Sequence, residues 1–259
     1  MSSMLDQARE NHDHRLRATL EAMRGDFNPA GYVMVSICYR ALACCAALLE
    51  ADTDSFFLYL GNAANARLDF LEKAKGREIP PRYLALSKDL GFTCAVAAED
   101  WPVAEAISAL SNTEHTDTVE YEDDFLFFRV LHLLLTNPDD VAGIERHLTR
   151  WAEVLEGEES GFLQVCTAMC GRDQDGYADA YEALHDARES QLDAYSAEVS
   201  ADAELLAIER GVFIDALAVA RLAERLGLRT PGVYAMAPDL VLRQHAAGAV
   251  DRSAWANYP

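Results

Sequence analysis

The longest uncharged run of the chain is FNPAGYVMVSICY, residues 27–39, and apolar residues continue beyond Arg40 to Leu49. Pro29 suits the first turn of a helix, and the residues that follow it are apolar on most sides of such a helix. A membrane span needs about 20 consecutive apolar residues, and Arg40 interrupts the stretch before that length. The stretch therefore predicts a buried central helix that runs to about Glu50.

Apolar side chains recur at helical spacing through the rest of the chain, whereas alternating strand patterns and β-branched runs are scarce. Gly and Pro mark where segments end and begin. We predict an all-α single domain over residues 1–259, with an N-terminal amphipathic helix inside 1–28 and a C-terminal tail at 246–259. The predicted helices lie at about 4–24, 29–50, 52–75, 81–98, 102–110, 125–136, 137–156, 162–170, 176–195, 202–226 and 238–245.

Two segments share a pattern of a helix, an acidic turn, an aromatic residue and a second helix with small residues. They are residues 94–107 and 166–181. Small residues let two helices approach closely, as in the hairpins of tetratricopeptide-like arrays, although a 34-residue period is missing. We therefore predict a bundle of stacked antiparallel helical hairpins, tetratricopeptide-like in places.

The negative charge is concentrated in the middle of the chain. The sequence has 22 Lys and Arg against 43 Asp and Glu, a net charge of −21. Residues 91–210 hold 27 of the acidic and 6 of the basic residues, so both flanking parts are nearly neutral. Such a charge disfavours direct binding to nucleic acid or to an anionic membrane and favours cations or a basic protein. The block is either an acidic interaction surface or a solvated helical surface.

The sequence offers little support for catalysis or for a bound cofactor. No apolar export signal opens the chain, so we expect a cytoplasmic protein with buried, reduced thiols. Zinc-binding CxxC and HxxxH pairs, phosphate-binding glycine motifs, HExxH and GxSxG are all missing from the sequence. We predict no metal, no cofactor and no catalytic residue, and a protein that is not an enzyme. The six cysteines are Cys38, Cys44, Cys45, Cys94, Cys166 and Cys170.

Three acidic segments, at residues 114–124, 153–159 and 173–193, supply candidate residues for binding a basic protein partner. A carboxylate-rich surface can dock on the cationic cleft of a nucleic-acid-directed protein, where complementary potentials raise the association rate. Carboxylates also form bidentate pairs with Arg, and Tyr121 is a candidate aromatic anchor. The candidates are Glu114, Asp117, Glu120, Tyr121, Glu122, Asp123, Asp124, Glu156, Glu158, Glu159, Asp173, Asp175 and Asp179.

Two regions carry a family resemblance. One is FFLYLGNAANA, residues 56–66, which continues to Leu71 and the hairpin at 91–110; the other is FIDALAVARLAERLG, residues 213–227, followed by Pro231 and APDL at 237–240. These regions resemble the Immunity protein 49 family of bacterial polymorphic toxin and type VI secretion systems. The shared pattern is one of helices, small residues and a Gly-ended helix, without a catalytic string.

The resemblance implies a non-enzymatic, mostly helical cytoplasmic protein that binds a cognate antibacterial toxin and blocks it. Members of such families are paired with different toxins, so no toxin-contact residue carries over to this chain. The acidic block favours a cationic toxin, and a nuclease such as a DNase is the first expectation.

Two alternatives from other function classes make different structural predictions. A tetratricopeptide-like adaptor or chaperone that binds a basic protein or peptide predicts a concave groove of mixed charge. A metal-dependent hydrolase predicts a tight inward cluster of carboxylates and His. The immunity function predicts that a toxin gene lies beside the gene of this chain. It also predicts that co-expression of this chain relieves the toxicity of that toxin.

Overall fold

The computed structural model describes residues 2–232, 234–246, 248 and 250–258, without the side chains of Ser2 and Ser3. Both ends of the predicted domain, Met1 and Pro259, lie outside the described residues. The helices are α1 (Ser2–Ala22), α2 (Pro29–Cys45), α3 (Thr53–Ala74), α4 (Leu90–Ala97), α5 (Trp101–Leu110), α6 (Glu122–Thr136), α7 (Val141–Val154), α8 (Gly161–Gly171), α9 (Gln174–Ser196), α10 (Ala203–Glu209), α11 (Ile214–Arg225) and α12 (Asp239–Leu242). The prediction of an all-α fold is confirmed.

The apolar stretch forms the central helix α2, which a π-helical turn, Ala46–Glu50, extends. Asn28 caps its start, where the side-chain oxygen accepts a hydrogen bond from the Gly31 N–H at 3.1 Å. By length and composition alone, Pro29–Glu50 could cross a membrane, but 67% of its apolar window is buried inside the protein. A buried core helix can be as long and as apolar as a helix that spans a membrane. The predicted buried central helix is therefore confirmed.

Neighbouring helices pack as antiparallel hairpins. Between α2 and α3, the Tyr32 hydroxyl donates to Asp69 at 2.7 Å, and the Ser36 hydroxyl donates to the Ala63 carbonyl at 3.3 Å. Residue 32 on α2 therefore contacts residue 69 on α3, and residue 36 contacts residue 63, so the two helices run antiparallel. Helices α6 to α9 also pack each against the next along the chain.

The C-terminal part of the chain returns to the N-terminal helices. Helix α10 packs on α1, and α11 packs on α4. Trp255 in the tail is only 6% exposed, and its carbonyl accepts a hydrogen bond from the Tyr39 hydroxyl at 2.7 Å. In an open repeat array each unit contacts only its neighbours. Here the long-range contacts close the hairpins into one bundle.

Two helices predicted as continuous are broken. In the range 81–98, the 3-10 turns Pro81–Tyr83 and Leu86–Lys88 precede α4. Asp89, between these turns and α4, is fully buried and accepts a hydrogen bond from Arg67 Nε at 2.9 Å. The need to bring this carboxylate into the core explains the break.

The second break divides the range 202–226 into α10 and α11. Gly211 lies against Leu48, and a Cβ at this glycine would be 2.1 Å from the Leu48 Cδ1 atom. The Phe213 N–H donates to the Met236 carbonyl at 2.7 Å instead of continuing a helix. Close packing at Gly211 and this long-range hydrogen bond end α10 before α11 begins.

Candidate partner-binding surface

The acidic loop before α6 is shorter than predicted. Helix α6 begins at Glu122, so Glu122, Asp123 and Asp124 form its first turn rather than the end of a loop. Carboxylates are favourable there because the unpaired N–H groups give a helix N-terminus partial positive charge. Tyr121 precedes the helix and is 79% exposed, which leaves its ring accessible to a partner.

Glu120 anchors this loop to the residues before α4. Its side chain is half-buried, and Oε2 accepts a hydrogen bond from the Ser87 N–H at 2.8 Å. His115 Nε2 donates to the Glu120 carbonyl at 3.0 Å, and His115 Nδ1 lies 3.0 Å from the Asp117 carboxylate. Glu114 and Asp117 remain exposed. The loop therefore presents Glu114, Asp117 and Tyr121 outward, while Glu120 is used to hold it in place.

Within the first turn of α6, the three carboxylates differ. Arg150 on α7 forms a bidentate pair with Glu122, at 2.7 and 2.8 Å, and these hydrogen bonds lower the pKa of Glu122. Asp123 is half-buried, whereas the Asp124 side chain is exposed. Partial desolvation of its carboxylate, and next the charge of Asp123, raise the pKa of Asp124. Asp124 is thus an exposed residue whose carboxylate is nevertheless partly desolvated.

The turn between α7 and α8 lies at the same end of the molecule as this loop. The Phe127 ring on α6 packs on the Phe162 ring of α8 with centroids 4.2 Å apart, which brings the starts of both helices together. Glu156, Glu158 and Glu159 are all exposed in the turn that leads into α8. We call residues 114–124 and 156–159 the acidic end.

The third predicted segment lies elsewhere. Asp173 caps α9 by accepting a hydrogen bond from the Gly176 N–H at 3.1 Å, and Asp175 and Asp179 follow on the exposed surface. Gly161, at the start of α8, packs on Leu184 of α9, so the two helices are antiparallel. Counted along α9 from Leu184 at about 1.5 Å per residue, Asp173 lies about 16 Å, Asp175 about 14 Å and Asp179 about 8 Å from the level of Gly161. We call these three residues the distal group. The candidates therefore spread along the α8–α9 hairpin, with Asp173 and Asp175 near its far end and Asp179 about midway.

Three further exposed carboxylates lie on α9, within the predicted acidic segment 173–193 but outside the list of candidate residues. Glu182, Asp186 and Glu189 on α9 flank Leu184 and so lie on the side of the acidic end. The connection between α8 and α9 is short, so an antiparallel arrangement pairs residue 161 with residue 184. This pairing places the three carboxylates near the start of α8 and can be worked out from the sequence.

An open groove of about 810 Å³ runs between α8 and α9. Small and apolar residues such as Ala168 and Ala180 form its base, and Asp173 and Asp179 of the distal group line it as well. The groove is shallow and open, and the charged residues in its lining are acidic, whereas the adaptor alternative predicts a concave groove of mixed charge.

A buried polar cluster is the nearest counterpart to the inward cluster of the hydrolase alternative. Asp89 accepts hydrogen bonds from Arg67 Nε at 2.9 Å and from the Ser111 hydroxyl at 2.5 Å, and His132 Nε2 lies 3.7 Å away. Burial lowers the pKa of His132 to about 4. The Ser111 hydroxyl donates to Asp89, and His132 Nε2 has no hydrogen-bond partner among the described residues, so no hydrogen bond joins this nitrogen to the serine. The cluster joins α3, α5 and α6 within the core.

The described residues contain no group of three or more His, Cys, Asp or Glu side chains arranged to hold a metal ion. All six cysteines are buried free thiols, as predicted. Burial raises the pKa of Cys38, Cys45 and Cys94 to about 11. The thiols are therefore protonated at neutral pH and are core residues.

Comparisons with protein-family models, with curated proteins and with solved structures gave no match for this chain.

Proposed function

We propose that this protein is an immunity protein whose acidic end binds a cationic antibacterial toxin, a nuclease in the first instance, and occludes the surface that the toxin uses for its substrate. The observation that carries the proposal is the exposure of Glu156, Glu158, Glu159 and Asp124 beside the exposed ring of Tyr121. The inhibitor acts in the cytoplasm without enzymatic activity, cofactor or metal.

The chemistry of a nuclease explains why such a surface suits it. A cleft that binds phosphates is lined with Arg and Lys, and carboxylates can take the place of the phosphates there. Opposite potentials steer the two proteins together and raise the association rate by about 10- to 1,000-fold. Glu122 contributes less to this attraction because Arg150 already neutralises it. The exposed tyrosine supplies a large anchor of the kind that dominates interface energies.

Co-expression tests the function in cells. A toxin encoded beside the gene of this chain is expressed in a host with and without this protein, and survival and DNA integrity are measured. We expect the wild-type protein to restore survival and keep the DNA intact. Toxicity that persists despite stable co-expression of the two proteins would contradict the proposal.

The α8–α9 groove favours a second candidate function, an adaptor or chaperone that binds a basic peptide or helix. Filling the groove by the exposed substitution Thr167→Trp should then weaken partner binding, whereas Glu158→Lys with Glu159→Lys should not. The immunity proposal predicts the opposite ranking of these two variants in the same binding assay.

A further inference from the structure

One partly buried arginine, Arg129 in the middle of α6, lacks the carboxylate partner that the others have. The other described arginines that are wholly or partly buried each have a carboxylate oxygen within 3.1 Å, and they are Arg9, Arg40, Arg67, Arg188, Arg210 and Arg221. Arg129 is half-buried and has no ion pair or hydrogen bond to any described residue. Burial lowers the pKa of its guanidinium group, and no carboxylate charge acts against this shift. In a chain with 43 acidic residues, Arg129 is thus a partly desolvated cation without a counter-ion.

The nitrogen atoms of the Arg129 side chain differ in their access to solvent. Nε is buried and has no hydrogen-bond partner among the described residues. Nη1 and Nη2 have no such partner either, but neither of these two atoms is buried. Their N–H groups are therefore available to a ligand that approaches from the surface.

The packing of α6 on α7 brings a histidine to Arg129. Glu122 on α6 and Arg150 on α7 pair at 2.7 and 2.8 Å, which fixes the level of one helix against the other. Arg129 lies two turns beyond Glu122 on the same side of α6, and His147 lies about one turn before Arg150 on α7. Because helical side chains lean toward the start of their own helix, those of Arg129 and His147 lean toward each other across this antiparallel pair.

Arg146, next to His147 on α7, adds a second cation. Burial lowers the pKa of His147, and the charges of Arg129 and then of Arg146 lower it further. Two cations that act on one imidazole ring lie close to that ring. Arg146 is exposed and, like Arg129, has no hydrogen bond or ion pair among the described residues. We call Arg129, Arg146 and His147 the α6–α7 cluster.

Four carboxylates on or beside these two helices are engaged elsewhere. Glu122 and Glu153 are both bound by Arg150. Asp140 caps the start of α7 by accepting a hydrogen bond from a backbone N–H at 3.0 Å. The charge of Glu145 acts on a cysteine of α8, so this side chain lies on the α8 side of α7. The cluster is therefore open to an anion from solution.

We propose that the α6–α7 cluster binds a small oxyanion of the phosphate class, which takes the place of the missing carboxylate. The planar guanidinium groups of Arg129 and Arg146 suit the oxygens of such an anion, and charge-assisted hydrogen bonds are stronger than neutral ones. His147 is neutral at neutral pH and can donate one ring N–H. The net charge of −21 repels anions from the surface as a whole, so binding depends on this local cluster. The site goes beyond the proposed toxin inhibition and does not depend on it.

Protein-observed NMR titration of the full chain with inorganic phosphate at pH 7 tests the proposal, with acetate and chloride at matched ionic strength as comparison anions. We expect saturable one-to-one binding of phosphate at the α6–α7 cluster. Acetate, with a single charge, should bind about tenfold more weakly, and chloride should give no saturable shift. Bound phosphate should also raise the pKa of His147, because it offsets the charges of both arginines.

Several outcomes of this titration would overturn the proposal. They are the absence of saturable phosphate binding, an equal response to chloride, acetate binding as tight as that of phosphate, and a His147 pKa that phosphate leaves unchanged.

Variants then locate the site. Arg129→Gln and Arg146→Gln each remove one guanidinium group and should weaken phosphate binding at least about tenfold, the size of one hydrogen bond to a charged group. Arg15→Gln is the matched control, because Arg15 is an exposed helical arginine without an ion pair among the described residues. It should bind phosphate with wild-type affinity. Circular dichroism checks folding, and the exposed Arg146 provides the test should Arg129→Gln fail to fold. Wild-type affinity in either folded cluster variant, or an equal loss in Arg15→Gln, would overturn the proposed site.

Discussion

At the scale of single residues, the core contains charged and polar side chains that hydrophobic periodicity cannot reveal. Arg67 and Asp89 are 4% and 0% exposed in their side chains and lie 2.9 Å apart. The sequence predicts a continuous helix through Asp89, because one sequence does not show which distant cation a carboxylate meets. Tertiary pairing decided the local conformation at this residue.

Removing the Asp89 charge should destabilise the fold strongly. Asp89→Asn leaves the Arg67 guanidinium buried without its counter-ion, and breaking such a pair costs about 3–5 kcal/mol. Urea unfolding measures the loss. Glu21→Gln breaks the exposed Arg24–Glu21 pair and should cost less than about 1 kcal/mol. Similar losses in the two variants would contradict the structural role assigned to Asp89.

His185 gives a pH-dependent prediction. Neither ring nitrogen has a hydrogen-bond partner among the described residues, and the ring stacks on Tyr234 with centroids 4.5 Å apart. Burial lowers the pKa of His185 to about 4, although nearby Asp186 raises it. The unfolded chain, with a pKa near 6.5, binds the proton more tightly. The neutral ring therefore supports the fold fully above about pH 6.5, and this support is lost as the pH falls toward 4.

His185→Phe should raise the free energy of unfolding by about 1 kcal/mol at neutral pH, because it removes two unsatisfied nitrogens while keeping a ring. It should also flatten the loss of stability between pH 6.5 and 4, with His132 responsible for part of the remaining slope. Urea titrations across this range measure both effects. A pH profile parallel to that of the wild type would refute the assignment, and the exposed His14→Gln is the control.

At the scale of elements, the helical character and most helix positions followed from periodicity and from Gly and Pro at segment ends. The two broken helices did not, since each break is caused by a contact with a distant part of the chain. At Gly211 the contact is with Leu48, and at Asp89 it is with Arg67. The sequence predicts a start of α6 at about residue 125, three residues too late, because the acidic first turn resembles a polar loop in composition.

A glycine pair tests the close approach of α3 and α4. A Cβ at Gly91 would lie 2.3 Å from the Arg67 Cβ, whereas a Cβ at Gly171 on α8 would meet nothing within 4 Å. Gly91→Ala should therefore cost about 1–3 kcal/mol through overpacking. Gly171→Ala should be neutral or stabilising by up to about 1 kcal/mol. Thermal and urea unfolding compare the two, and equal effects would contradict the packing argument.

At the scale of the whole molecule, the acidic block is spread along the α8–α9 hairpin and is not gathered at one end. The charge count placed the excess in residues 91–210, but which carboxylates share an end depends on antiparallel packing and on pairs such as Arg150–Glu122. The structure also adds Glu182, Asp186 and Glu189 to the side of the acidic end. Asp173 and Asp175 lie about 14–16 Å along the hairpin from that side, and Asp179 lies about 8 Å from it.

The most direct test of the proposed partner-binding surface is the association rate of the toxin with two matched variants across ionic strength. Glu158→Lys with Glu159→Lys changes the acidic end, and Asp175→Lys with Asp179→Lys makes the same charge change in the distal group. We predict that the first variant associates at least about tenfold more slowly at low salt, with a flatter salt dependence, because steering is lost. The second variant should associate at close to the wild-type rate. Equal slowing of both variants, or slowing of the distal variant alone, would contradict the account.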